Sequence, residues 1–193
     1  MIENKELKCG FKMPVFGMGT WMMGGNSERD AGNNGDADAA ALIAGLERGL
    51  SHIDTAEMYA GGFAEEIVGR AIAGRKRAKL FITTKVWNTN LSFDGVLRAA
   101  EGSLKRLGTD CIDLYLVHKP NDDIPLKETI RALDRLQDEK SSATPGSVIL
   151  PSGDLITHRR CPVIRSSPIK CITISFSANL KLPACWITAG RMI

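Results

Sequence analysis

The sequence of 193 residues lacks any apolar run approaching the ~18 residues that a membrane span requires. Its first stretch, MIENKELKCG, has no apolar centre of the kind a secretory leader carries. A soluble, cytoplasmic chain with no membrane partner is the expectation. Cysteine is scarce: Cys9, Cys111, Cys161, Cys171 and Cys185 are odd in number and irregularly spaced, with no CxxC pair and no histidine at ligand spacing. That pattern argues against both a disulfide framework and a zinc centre, so no metal site is expected. Aromatic residues make up 6% of the chain and do not interleave with the basic residues, and no nucleic-acid-binding motif occurs. Nucleic acid is therefore not an expected partner. A dinucleotide fingerprint is missing as well. GMGTWM supplies Gly17 and Gly19, but Met22 stands at the third glycine's place, and the polar loop GGNSERDAGNNGD intervenes before the first helix.

What is present is an ordinary globular composition, 44% apolar and 24% charged. Between residues 36 and 140 the pattern alternates regularly. Helical periodicity or capping fits 36–49, 63–73, 92–107 and 125–140. Short apolar runs, SHIDTA, LFITTKV and IDLYLVH, lie between these stretches, and PVFGMGT precedes the first. Runs apolar on both faces and separated by helices describe a parallel sheet covered by helices. Two α/β architectures compete, an open doubly wound sheet and a (β/α)8 barrel. The failed fingerprint weighs against the open sheet. A barrel places its chemistry at the C-terminal ends of successive strands. Polar residues gather there: Asp54 closes the second strand, Lys85 the third and His118 the fourth, with Tyr59 in the loop after the second.

Brought together at one barrel mouth, these side chains suit proton delivery to a carbonyl. A tyrosine hydroxyl is a weak acid at neutral pH, but a neighbouring ammonium such as that of Lys85 favours its ionised form. Asp54 compensates and orients the lysine, and His118 can donate a hydrogen bond to a carbonyl oxygen on which charge develops. Singly, each residue has a plainer role, since structural ion pairs also occupy strand ends. The four together point to catalysis.

HIDTAEMY, FITTKVW, SLKRLGTDCIDLYLVHKP and MPVFGMGTW resemble the aldo-keto reductases, in the right order and spacing from about Leu7 to Lys140. The resemblance implies a (β/α)8 barrel that binds NADP(H) without a Rossmann domain and reduces aldehydes or ketones to alcohols. It maps the family's catalytic tetrad onto Asp54, Tyr59, Lys85 and His118, with Tyr59 as general acid and a small carbonyl compound as substrate. It also implies that Gly19, Thr20, Trp21 and Asp54 lie beside the nicotinamide, and that Trp21, Trp87 and His118 line the substrate pocket. For the two tryptophans, simple packing is an equal alternative. Lys119 follows His118 where many relatives have an aromatic residue.

At LDRLQDEKSSATPGSVILPSG the character changes: a charged amphipathic stretch gives way after Lys140 to unperiodic text rich in Ser, Pro and Gly. Beyond that point stand Arg159, Arg160, Arg165, Lys170, Lys181 and Arg191 against Asp154 alone, so the net charge of +3 resides in residues 141–193 and residues 1–140 are net acidic. The family's later motifs, a serine-asparagine pair for the carboxamide, an aromatic on the nicotinamide and basic residues for the 2′-phosphate, are not in place. SFSAN at 175–179 follows no matching strand. The expected division is a half-barrel over 1–140 and an aberrant tail over 141–193 that reads as a shifted frame or an equivalent gene-model error, with a genuine disordered extension as the alternative. The codons TCC TCC GCC ACA CCG GGG TCA GTA ATT TTA encode SSATPGSVIL, and one G restored before them gives VLRHTGVSNF, with the GVSNF motif where relatives carry it. Two functions compete: an NADP-dependent reductase damaged after its fourth unit, or a non-catalytic remnant or regulatory subunit. An open half-barrel would also leave apolar faces and strand edges free for self-association.

Overall fold

A computed structural model describes residues 2–6 and 12–138. The expected boundary at Lys140, the 141–193 segment with its three cysteines and SFSAN, and Cys9 all lie outside the described residues. The chain opens with an antiparallel pair, β1 (Asn4–Glu6) and β2 (Lys12–Pro14), in the register Lys5↔Met13. A parallel sheet follows, β3 (Gly17–Gly19), β4 (His52–Asp54), β5 (Phe81–Val86) and β6 (Leu114–Val117), with neighbours in chain order. Helices α1 (Gly35–Glu47), α2 (Phe63–Ile72) and α3 (Phe93–Leu107) connect the strands, and α4 (Leu126–Asp138) comes after β6.

Local chemistry sets these bounds. Asn34 caps α1, its Oδ1 accepting from the backbone N–H groups of Asp36 and Ala37 at 3.2 Å each. The helix stops at Glu47 because the chain turns through Gly49 at φ 90°, a conformation glycine adopts without penalty. Ser92 caps α3 through Gly95 N–H at 3.2 Å, and Gly108 closes it at φ 62°.

Side chains alternate across the strands with period two. Ile53, Ile82, Val86, Tyr115 and Val117 are buried with Leu42, Ile67, Val68, Val96, Leu107 and Ala132 in one core between sheet and helices. His52 and Asp54, Thr83 and Lys85, and Leu114 and Leu116 have the opposite parity. His52 Nε2 lies 2.9 Å from Thr83 Oγ1 and Lys85 Nζ 2.6 Å from Asp54 Oδ1, so these side chains share the second face. A doubly wound sheet reverses its strand order at a switch point. Here the order is strictly sequential and the helices pack against one another in succession, α1 on α2, α2 on α3 and α3 on α4. This is the layout of a (β/α)8 barrel over its first four units.

Close backbone approach holds the helix layer together. A Cβ on Gly69 of α2 would stand 2.7 Å from the Arg106 carbonyl oxygen and 3.0 Å from that of Leu107, at the end of α3. Alanine gains about 1 kcal/mol of helix propensity there, but overpacking costs about 1–3 kcal/mol and both atoms it meets are backbone. Gly69→Ala is expected to lower the urea midpoint; an unchanged or raised midpoint would show that the two helices slide apart freely.

Candidate active site

Backbone pairing continues past the strands and fixes the loops of the sheet's C-terminal edge. Thr20 N–H donates to Asp54 O at 3.0 Å, Thr55 N–H to Thr83 O at 2.8 Å, Glu57 N–H to Lys85 O at 3.3 Å and His118 N–H to Val86 O at 3.0 Å. Beyond β4 the chain turns sharply through Ala60 (φ 51°), Gly61 (φ 62°) and Gly62 (φ 94°) into α2. Left-handed backbone at a residue bearing a Cβ costs roughly 1–2 kcal/mol. Ala60 is held there by its N–H, which donates to Asn26 O at 2.6 Å. The turn leaves Tyr59 buried at the sheet's edge, with its ring against Trp21.

Lys85 is the centre of the cluster. Its ammonium donates to Asp54 Oδ1 at 2.6 Å, to Thr55 O at 2.8 Å and to Tyr59 Oη at 3.4 Å, so each of its three protons has an acceptor. The Lys85 side chain is 13% exposed and that of Asp54 38%, so the pair is shielded from solvent on the lysine's side only. Since the Tyr59 oxygen accepts from the ammonium, its own proton is left for another acceptor.

Four aromatic rings run along the edge in perpendicular contacts. Centroids are 4.8 Å apart for Trp21 and Tyr59, 5.4 Å for Tyr59 and His118, and 5.1 Å for His118 and Trp87. The last contact follows from register: Lys85 pairs with Leu116 and Val86 with Val117, which sets Trp87 beside His118. Burial, then the Lys85 and Lys119 ammoniums, push His118 down to about 4, with Asp54 opposing them. Its imidazole is thus neutral at pH 7, one nitrogen bearing a proton and the other a lone pair. Nδ1 is buried with no hydrogen-bond partner among the described residues.

Burial lowers His52 in the same sense. A base whose folded pKa is depressed binds its proton more readily when unfolded. Its stabilising contribution is full above the ordinary value of 6.5 and is lost as pH falls towards the folded value. The melting temperature is accordingly expected to drop between pH 6.5 and pH 4, less steeply in His118→Asn. Equal slopes would mean that His118 is protonated in the folded chain.

Asp54, Tyr59, Lys85, His118, Trp21 and Trp87 are therefore neighbours, and Thr20 and Gly19 adjoin them through the Thr20–Asp54 bond. Two contributors were not expected from the sequence. The Thr55 carbonyl is a backbone group that no residue type reveals. Glu57 accepts from Trp87 N–H in a short hydrogen bond and from Asn90 Nδ2 at 3.0 Å, which fixes the tryptophan's backbone. Its signal was an acidic residue inside HIDTAEMY, two positions before Tyr59. Among the described residues, no group of three or more His, Cys, Asp or Glu could hold a metal ion.

Residues 15–139 match the model of the Aldo/keto reductase family. Methylglyoxal reductase YeaE of Escherichia coli is 43% identical over 124 residues, covering 64% of this chain and 41% of the relative. Glyoxal reductase of Bacillus subtilis is 39% identical over 136 residues, covering 69% and 45%. Among solved structures, the thermostable aldo-keto reductase Tm1743 superposes with a TM-score of 0.71 at 39% identity, covering 80% of this chain and 55% of that one. An aldo-keto reductase from Klebsiella pneumoniae in complex with NADPH gives 0.65 at 38% identity, covering 80% and 51%. The chain spans less than half the length of these curated relatives. Sequence match and structural superposition agree, and the chain belongs to the aldo/keto reductase family.

Proposed function

We propose that residues 1–140 are the catalytic half of an NADPH-dependent carbonyl reductase that converts a small aldehyde or ketone to its alcohol in the cytoplasm. The supporting observation is the Lys85 ammonium, shared between Asp54 and the Tyr59 oxygen. Names of relatives, methylglyoxal and glyoxal reductases, agree with that chemistry. The residues fit the nicotinamide end of NADP(H). A Cβ built on Gly19 meets nothing within 4 Å, and the buried Thr20 hydroxyl has no partner among the described residues. Gly19, Thr20, Trp21 and Asp54 would hold that end. When bound, the reduced nicotinamide supplies hydride to the carbonyl carbon.

Tyr59 gives its hydroxyl proton to the carbonyl oxygen as that hydride arrives, completing the alcohol. Lys85 stabilises the negative charge left on the tyrosine oxygen, and Asp54 holds the lysine in place. Neutral His118 donates its N–H to the same carbonyl oxygen, lowering the energy of the charge that builds there. Trp21 and Trp87 form apolar walls on either side of the Tyr59–His118 pair and limit the access of water.

The test is aldehyde-dependent NADPH oxidation, with deuterium from 4-deuterated NADPH recovered at the carbinol carbon. Where the chain alone gives no turnover, joining residues 1–140 to the second half of a relative is expected to restore it. Absence of turnover in both would remove the proposal. A non-catalytic remnant or interaction subunit is favoured by one observation: β3 and β6 are each paired on one side only among the described residues, and Val15 and Phe16 beside β3 are exposed. Titration with NADPH separates the two functions. Saturable tryptophan quenching by a monodisperse chain fits the reductase, and self-association without quenching fits the remnant.

The division at Lys140 and the frame shift after it belong to the same proposal. Transcript sequencing around codon 140 is expected to show the GVSNF reading in the neighbouring frame. Independent clones without it would end that part.

A further inference from the structure

We propose that Lys119 makes this site selective for carbonyl substrates that carry a carboxylate, its ammonium pairing with the carboxylate beside the Trp87 ring while Tyr59 and His118 hold the carbonyl oxygen. The inference rests on the carbonyl-reductase proposal and adds the substrate class. Lys119 immediately follows His118, and its Nζ stands 5.6 Å from the Trp87 ring centre. That ring in turn lies 5.1 Å from the His118 ring. The cation is thus two ring contacts from the group that would donate to the carbonyl oxygen.

Among the described residues its charge is not paired with a carboxylate, whereas that of Lys85 is paired with Asp54. The acidic residue built into this wall, Glu57, is already engaged by Trp87 N–H and Asn90. Lys119 is exposed, and an aromatic face holds an ammonium weakly compared with a carboxylate that accepts its hydrogen bond. Lys119 also contributes to lowering His118, after burial and Lys85, as its nearness to that ring requires. A rigid probe that holds the two groups apart on one frame is 4-carboxybenzaldehyde.

The test compares 4-carboxybenzaldehyde with its methyl ester, a neutral analogue of the same shape. The ratio of kcat/KM, acid over ester, is expected to favour the acid. It should fall about tenfold in Lys119→Met, survive in Lys119→Arg, and shrink as ionic strength rises. An equal ratio in wild type and Lys119→Met would overturn the proposal. Should neither aldehyde be reduced by the chain or by its fusion to a relative's second half, the reductase proposal fails, and binding decides this one separately through tryptophan quenching by the unreactive terephthalate dianion. Saturable quenching in the wild type that is lost in Lys119→Met and kept in Lys119→Arg upholds the carboxylate site. Identical titrations for wild type and Lys119→Met, or no quenching in either, reject it.

Discussion

Tyr59→Phe is expected to lower kcat for aldehyde reduction by roughly 10²–10⁴, the range that a positioned general acid contributes, while the Kd for NADPH stays close to that of the wild type. The substitution removes one oxygen and little else. The ring keeps its contacts with Trp21 and His118, and Lys85 keeps two of its three acceptors, Asp54 Oδ1 and Thr55 O. The loss should therefore appear in the chemical step, read in single turnovers with saturating NADPH. Full activity in the variant would mean that the proton comes from elsewhere, and His118 would be the next residue to replace.

Arg106→Leu should have the largest effect on stability. Glu65 on α2 is wholly buried; its Oε2 accepts from Arg106 Nε at 2.7 Å and its Oε1 from Thr84 Oγ1 at 2.5 Å. Arg106 Nη2 donates in addition to Ser103 Oγ at 3.3 Å, so the network ties α2, β5 and α3 together. Removing one partner of a buried pair costs about 3–5 kcal/mol, because the other charge stays buried and uncompensated. That is a large part of the ~5–15 kcal/mol that holds a typical domain folded. Burial already raises Glu65 above its ordinary 4.5, with Arg106 opposing it. An acid with a raised folded pKa loses stability as pH rises from its unfolded value through its folded one. Urea unfolding should show the variant's deficit growing from pH 5 to pH 7, and Glu65→Leu added to Arg106→Leu should recover much of it. A deficit independent of pH would assign the loss to packing.

The helices and the four parallel strands were legible because apolar runs alternate with amphipathic stretches that open near Asp36, Ser92 and Pro125, whereas the caps Asn34 and Gly108 emerged only from the structure. The candidate cluster was legible because a parallel sheet in chain order puts strand-end residues side by side, and Asp54, Lys85 and His118 all stand at strand ends. The β1–β2 hairpin was not anticipated. NKE and KMP have no apolar alternation, and its visible polar tie, Lys12 to Glu6 at 3.1 Å, is an exposed pair of little strength. Glu65 was equally opaque. In FAEEIVGR it reads as a solvent-facing charge beside Glu66, and only the fold brings Arg106 within reach 41 positions later. Ala60 carries no sign of its left-handed backbone, since the loop around it imposes that conformation rather than its own side chain.

The short reach of the Lys85 contacts has a consequence for how the chain is made. Lys85 meets Tyr59 across 26 positions and Asp54 across 31. At synthesis rates of about 5–20 residues per second, Lys85 is added roughly two to six seconds after Asp54. Every acceptor of the reactive ammonium, Asp54, Thr55 and Tyr59, is thus synthesised before it, so the Lys85 cluster requires nothing translated after β5 for its own completion.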